Sequence, residues 1–135
     1  MIKSADLGKE IAVTIVNKIG VLADISRLLS ETGINIEAVA GYAIDKDAKI
    51  MLVTDDNLRS VDALKKAGYG SLKENEVIIL ELENEPGALK TISTILADNG
   101  IDIKQICGTT CTCGCPTKII LSTSNNEKAL LAFKK

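Results

Sequence analysis

Asn84-Glu85-Pro86-Gly87-Ala88-Leu89 is the stretch on which the reading of this chain turns. The apolar run Val77–Leu82 before it, with Ile78, Leu80 and Leu82 alternating against Ile79, Glu81 and Glu83, reads as a strand. After it, Ala88, Leu89, Ile92, Ile95 and Leu96 recur at the spacing of one helix face, and Asn99-Gly100 stops the helix. A strand, a Pro-Gly turn and a helix leave the first helical N–H groups without internal partners and with partial positive charge. Such a terminus suits a carboxylate or phosphate. A plain tight turn with an asparagine cap explains the same residues equally well.

The stretch occurs twice. At an offset of 67, Val13-Thr-Ile-Val-Asn17-Lys-Ile-Gly20-Val-Leu22 lies on Leu80-Glu-Leu-Glu-Asn84-Glu-Pro-Gly87-Ala-Leu89. Ile25, Leu28 and Leu29 fall on Ile92, Ile95 and Leu96, and Gly33-Ile-Asn35-Ile36 on Gly100-Ile-Asp102-Ile103. Further on the offset becomes 69, which places Lys49-Ile-Met-Leu52 on Lys118-Ile-Ile-Leu121, and Val61 and Leu64 on Leu130 and Phe133. The chain is an internal duplication with a two-residue insertion in the second copy, and that sets the fold problem.

Composition narrows the classes. At 135 residues, 46% hydrophobic and 25% charged, the chain suits one domain or two small ones. A net charge of −2 gives no electrostatic reason to expect nucleic acid or an anionic membrane as partner. There is no histidine, which removes histidine acid–base catalysis, histidine metal ligands and the usual triads. Aromatic residues are limited to Tyr42, Tyr69 and Phe133. The N-terminus lacks a signal-peptide core and no apolar run spans a bilayer, so the cytoplasm is the expected location and the cysteines are expected as thiols.

In chain order, residues 1–8 form a short mixed-charge lead without periodicity. Ile11, Val13 and Ile15 mark a first strand, and Val21, Leu22, Ile25, Leu28 and Leu29 a helix closed by Thr32-Gly33. Ile34 to Ile44 reads as a long strand, Asp45-Lys46-Asp47 as a turn and Lys49–Thr54 as its hairpin partner. Asp55-Asp56-Asn57 offers N-caps for a helix carrying Leu58, Val61, Leu64 and Ala67. Tyr69–Lys73 is expected as a short last strand and Glu74-Asn75-Glu76 as a polar link. The fold class is therefore α+β: two ferredoxin-like βαββαβ units in tandem, residues 9–75 and 76–135, each an antiparallel sheet with helices on one face. The second unit ends at its second helix and lacks its C-terminal strand; residues 1–8 are the spare segment that can supply it, another copy of the chain being the alternative.

This fold hosts unrelated functions. RNA recognition needs aromatic residues on the central strands, which instead carry Ile11, Val13, Ile15, Ile50 and Leu52. A copper chaperone needs cysteines in the first loop, and Asn17–Gly20 and Asn84–Gly87 have none. Asn-x-Pro-Gly-x-Leu, a helix of spaced Ile and Leu, then Gly-Ile-Asn/Asp-Ile resembles the ACT domain, a regulatory amino-acid-binding module, as in the regulatory domain of phosphoglycerate dehydrogenase and the acetolactate synthase small subunit. The resemblance runs from about Ile11 to Phe133, twice, and with no catalytic domain attached the chain looks like the stand-alone tandem ACT proteins.

The resemblance implies units pairing side by side with a free amino acid bound at the seam, between the first loop of one unit and the start of the second strand of its neighbour. Carried onto this chain, one site joins Asn84, Pro86, Gly87 and Ala88 to Asn35, and the other joins Asn17, Gly20 and Val21 to Asp102. Ile19 stands where proline is usual and Asp102 where asparagine is usual, so the two sites are expected to differ, the Asn84 site being the main one. The implied protein is a non-catalytic, cytoplasmic regulatory module without a cofactor, a homo-oligomer, expected as a dimer, acting on an enzyme or regulator of amino-acid metabolism.

Cys107, Cys111, Cys113 and Cys115 fit none of this. They lie at the inserted hairpin of the second unit, in Cys-x3-Cys-x-Cys-x-Cys, a spacing of no standard zinc or iron–sulfur site. Inert hairpin residues, a thiolate metal site and a redox-switchable disulfide remain as readings, and a thiolate metal-binding or redox-sensing protein is the competing function. A structural adaptor with vestigial sites is a third. The hairpin is expected to lie away from the helix N-termini and to be dispensable for amino-acid binding.

Overall fold

The computed structural model describes residues 1–110 and 112–135. Its contacts divide the chain into two compact units, Lys9–Asn75 on the one hand and Met1–Gly8 with Glu76–Lys135 on the other. The elements are β1 (Ile2–Val16), α1 (Val21–Glu31), β2 (Ile36–Ile44), β3 (Asp47–Thr54), α2 (Asn57–Lys66), β4 (Leu72–Leu82), α3 (Ala88–Asp98), β5 (Ile103–Thr109), β6 (Thr117–Thr123) and α4 (Asn126–Phe133).

In the Lys9–Asn75 unit the strand order is β2-β3-β1-β4, with antiparallel pairs such as Ile11 opposite Leu52 and Val39 opposite Leu52. The Thr14 N–H donates to the Ser71 carbonyl at 3.1 Å. Alternation along β1 and β3 turns Ile11, Val13, Ile50 and Leu52 to one side, where Val21, Ile25 and Leu29 of α1 and Leu64 of α2 cover them. The order is that of a ferredoxin-like unit.

The other unit repeats it. Its order is β1-β4-β6-β5, with Leu80 opposite Ile119 and Gly108 opposite Ile119. Ile78, Leu80, Leu82, Ile119 and Leu121 meet Ile92 and Leu96 of α3 and Ala129 and Phe133 of α4. The fourth strand comes from the N-terminus: the Glu83 N–H donates to the Met1 carbonyl at 3.0 Å, Ala5 is buried in the core and Ile2 packs against it. The mixed-charge lead is thus a strand, invisible to periodicity because Lys3, Ser4, Asp6 and Leu7 do not alternate.

Three local expectations are corrected. Glu74-Asn75-Glu76 is not a link but the middle of the eleven-residue β4. Polar residues reside there because the ladder satisfies their backbone whatever the side chains. Leu58 of α2 is exposed while Ser60 is buried, so the apolar face of that helix is narrower than its leucines suggest. Asn84 does not cap α3: the N-cap is Gly87, at φ 91°, with no side-chain cap.

One device recurs in both units. Asn57 Oδ1 accepts from the Thr54 N–H at 3.2 Å and the Thr54 hydroxyl at 2.7 Å, while its Nδ2 donates to the Lys9 carbonyl at 2.9 Å. Asn126 does the same, accepting from Thr123 at 2.9 and 2.8 Å and donating to the Glu76 carbonyl at 3.0 Å. Each asparagine pins the start of its unit's second helix to the end of one strand and the middle of another. Three hydrogen bonds at about 0.5–1.5 kcal/mol each predict a loss of roughly 2–3 kcal/mol for Asn126→Ala. Urea unfolding checks it; a midpoint equal to that of the unsubstituted chain contradicts it.

Candidate functional site

Both strand-to-helix loops end on a glycine in the left-handed region, Gly20 at φ 96° and Gly87 at φ 91°. A side chain there is strained, so glycine is what allows the abrupt entry into the helix. The Asp24 and Thr91 N–H groups donate to the Gly20 and Gly87 carbonyls at 2.9 and 3.0 Å, closing the first turns. No side chain caps either helix. The Val21 and Ala88 N–H groups turn back to the Lys18 and Glu85 carbonyls at 3.4 and 3.2 Å, so the first-turn donors left to solvent or ligand are those of Leu22 and Ala23 and of Leu89 and Lys90.

Each helix start borders a cavity. That of α3, about 530 Å³, is lined by Leu82, Glu85, Gly87, Ala88, Leu89, Lys90, Ile106, Gly108, Thr109, Thr110, Thr117 and Ile119. That of α1, about 450 Å³, is lined by Asn17, Lys18, Gly20, Val21, Leu22, Val39, Ala40, Gly41, Tyr42, Ala43, Ala48 and Ile50. The offsets of the duplication map one onto the other: Gly20, Val21 and Leu22 onto Gly87, Ala88 and Leu89; Val39 and Gly41 onto Ile106 and Gly108; Ile50 onto Ile119. The differences include Tyr42, Ala43 and Ala48, which correspond to Thr109, Thr110 and Thr117, and Lys18, which corresponds to Glu85 and reverses the charge.

Of the residues singled out in the sequence, Asn17, Gly20 and Val21 share the α1 cavity and Gly87 and Ala88 the α3 cavity. Asn84 and Pro86 are on the same loop as Gly87 but outside the lining. Asn35 and Asp102 take the far ends of their units. The Asn35 N–H donates to Asp55 Oδ1 at 3.0 Å and its carbonyl accepts from the Asp55 N–H at 3.1 Å. Asp102 makes the matching pair with Ser124, at 3.0 and 2.9 Å. In its own unit Asn35 lies by the Thr54 end of β3, whereas the α1 loop follows Val16, opposite Asp47 at the other end. No single unit brings a loop and a second-strand start together.

Sequence periodicity missed two kinds of lining residue. Leu22 and Leu89, on the apolar helix faces that the spacing marks, are 49% and 57% exposed, and Val39 and Ile106 on β2 and β5 are 48% and 42% exposed. The signal was present in the duplication: both positions stay apolar in both copies without being needed by either core.

The cysteine hairpin is the other correction. Thr109, Thr110 and Thr117 flank it and line the α3 cavity, so it does not lie away from the helix start. Cys107 is half-buried on β5 opposite Ile120. Cys113 and Cys115 are exposed, their sulfurs 2.7 Å apart across Gly114 at φ 83°. Cys111 lies outside the described residues. Among the described residues no group of three or more cysteine, aspartate or glutamate side chains is arranged to hold a metal ion. No helix is long and apolar enough to cross a membrane.

The ACT domain family model matches residues 9–66, so an ACT domain occupies the greater part of the Lys9–Asn75 unit. No curated protein matches the chain. Among solved structures, a protein from Bacteroides thetaiotaomicron superimposes with a TM-score of 0.88 at 21% identity, over 96% of this chain and 88% of that one. The ligand-free regulatory subunit of aspartate kinase from Thermus thermophilus gives a TM-score of 0.69 at 15% identity, over 98% and 96%. A structure of aspartokinase alpha and beta subunits gives 0.64 at 16% identity, over 98% and 96%. At these identities the likeness is one of fold.

Proposed function

We propose that the chain is a non-catalytic regulatory module that binds a free amino acid at the helix starts of two ACT-like units, and that residues 76–135 form the second of these. The observation that carries the reading is the pair of equivalent cavities, each set at an uncapped helix start behind a left-handed glycine. Helix N–H donors suit a carboxylate, and an Asn or Asp oxygen suits an ammonium group. Aspartate kinase regulatory subunits of the same fold support a role in regulation. Because no single unit supplies both halves, the proposed sites lie at the seam between two units and take their strand start from the neighbouring unit: Asn84, Pro86, Gly87 and Ala88 with Asn35, and Asn17, Gly20 and Val21 with Asp102. The protein is then a cytoplasmic homo-oligomer, a dimer at its simplest, that signals to an enzyme or regulator of amino-acid metabolism by a change of shape or assembly.

A thermal-shift screen against the free amino acids tests this, since a ligand of the folded state stabilises by mass action. One or a few amino acids are expected to raise the melting temperature; none doing so refutes the reading. Losing one hydrogen bond to a charged ligand group costs about 1.5–3 kcal/mol. By calorimetry Asn35→Ala or Asn84→Ala should therefore weaken binding roughly tenfold to a hundredfold, and Asn17→Ala much less. Cys115 is disulfide-bonded and the free Cys113 sulfur lies 2.7 Å from its sulfur, which favours a second reading, a redox or thiolate site. One equivalent of zinc or iron per chain after purification without oxygen, lost in Cys113→Ser, would establish it instead.

A further inference from the structure

The two cavities share apolar strand residues, Val39, Gly41 and Ile50 in one and Ile106, Gly108 and Ile119 in the other, and these indicate what kind of side chain the ligand carries. On β5, Ile106 and Gly108 point to the helix side of the sheet, opposite Leu121 and Ile119 of β6. A Cβ built on Gly108 would collide with Ile119 Cδ1 and stand 3.3 Å from the Lys118 carbonyl, so the isoleucine side chain rests on the glycine. In the other unit a Cβ on Gly41 would stand 3.6 Å from Ile50 Cγ1, an ordinary contact. Gly108 thus lets Ile119 lie over the edge strand and leaves open the space above it, a requirement that Gly41 does not carry for Ile50. Leu82 and Ala88 complete an apolar wall.

Polar groups gather at one end. Thr117 pairs with Leu82 at the end of β4, immediately before the loop that leads into α3, so its hydroxyl is placed at the same end as the helix start. Glu85 and Lys90 are both in the lining and carry opposite charges, so the lining has no net charge that would favour one sign of side chain. A charged side chain laid on Ile106, Gly108 and Ile119 would lose water and gain no partner, which is costly. An apolar one gains by burial. The volume, about 530 Å³, lies in the range of small-ligand cavities.

We propose that the α3 cavity takes an amino acid with an apolar side chain, which lies over Gly108, and that Gly108 sets the depth available to it. This rests on the amino-acid reading above and names the class of ligand for that site. The apolar residues kept exposed in both units, Leu89 and Ile106 here, are retained for this contact rather than for the core.

Calorimetry of the full chain with leucine, isoleucine, valine and alanine, against aspartate, lysine and glutamine, tests the proposal. At least one branched apolar amino acid is expected to bind roughly tenfold or more tighter than any of the charged or amide-bearing ones, the discrimination a few methylenes give in an apolar pocket. Gly108→Ala forces Ile119 into the cavity and is expected to weaken leucine or isoleucine by about tenfold while changing alanine by much less. Ile106→Thr, at an exposed position where folding is not at stake, should lower leucine binding in the same direction. Equal or tighter binding of aspartate or lysine overturns the proposal, as does an equal loss for alanine and leucine in Gly108→Ala. Binding without apolar preference overturns this inference alone; binding by no amino acid overturns the amino-acid reading with it.

Discussion

Deleting Met1–Gly8 is expected to lower the melting temperature by about 10 °C or more. The segment supplies the fourth strand of the unit formed with Glu76–Lys135. Its loss removes the buried Ala5 and the half-buried Ile2 from that core, and with them the ladder that ends in the Glu83–Met1 hydrogen bond. An isoleucine side chain contributes about 1.5–3 kcal/mol when fully buried. Ladder hydrogen bonds add about 0.5–1.5 kcal/mol each. Together they exceed about 3 kcal/mol, and in a unit of this size each kilocalorie shifts the transition by about 4–8 °C. The exposed edge of β4 also becomes a template for another strand. Sedimentation should therefore show larger species in the truncated chain. A truncated protein that melts and sediments like the full chain would sink the assignment of this strand. The ion pair of the Met1 amine with Glu85, at 3.5 Å and more than half exposed, adds nothing to the expected loss.

That strand also marks where the sequence stops being informative. The duplication was legible because the constraints that repeat are local: left-handed glycines at helix ends, strand alternation and one apolar helix stripe. Gly33, Gly68 and Gly100 close their helices at φ 78°, 97° and 67° as their positions imply. Residues 1–8 carry no such local constraint. Ala5 is buried by what surrounds it, and nothing in Lys-Ser-Ala-Asp says so. The asparagine clamps were half legible. Thr54-Asp-Asp-Asn57 and Thr123-Ser-Asn-Asn126 align at the second offset, and the sequence offers Asp55-Asp56-Asn57 as N-caps. Asp56 and Asn125 do cap, accepting from the Arg59 and Lys128 N–H groups at 3.0 Å. That the next asparagine reaches the Lys9 or Glu76 carbonyl depends on a strand about fifty residues away. The cavities were least legible. Helical periodicity marks Leu22 and Leu89 as apolar and cannot separate a side chain facing the core from one held at a cavity mouth. The place of the cysteine hairpin beside the α3 cavity likewise follows from the pairing of β5 with β6, not from spacing.

Gly87→Val is expected to weaken amino-acid binding by about a hundredfold, whereas Gly20→Val should leave it nearly intact. Both glycines are left-handed, and in neither would an added Cβ meet an atom within 4 Å. The substitutions therefore act through the backbone and not by collision. A branched residue resists this conformation at a cost of about 1–2 kcal/mol. The loop relieves that strain by rotating the first turn of α3, which moves the N–H donors from where a carboxylate meets them. Losing one or two charge-assisted hydrogen bonds at about 1.5–3 kcal/mol each gives the stated loss. Both variants should melt a few degrees lower, since both bear the same strain, so the melting temperature cannot account for a difference in binding. Asparagine adopts the left-handed region more readily than valine. Gly87→Asn should accordingly recover much of the affinity that Gly87→Val loses. The asymmetry between the units follows from their loops: Pro86 stiffens the entry to α3, while Ile19, fully exposed at the matching position, leaves the entry to α1 looser. Equal losses in Gly20→Val and Gly87→Val, measured by calorimetry with the tightest amino acid, would show that the two cavities bind alike and overturn the ranking of the α3 site.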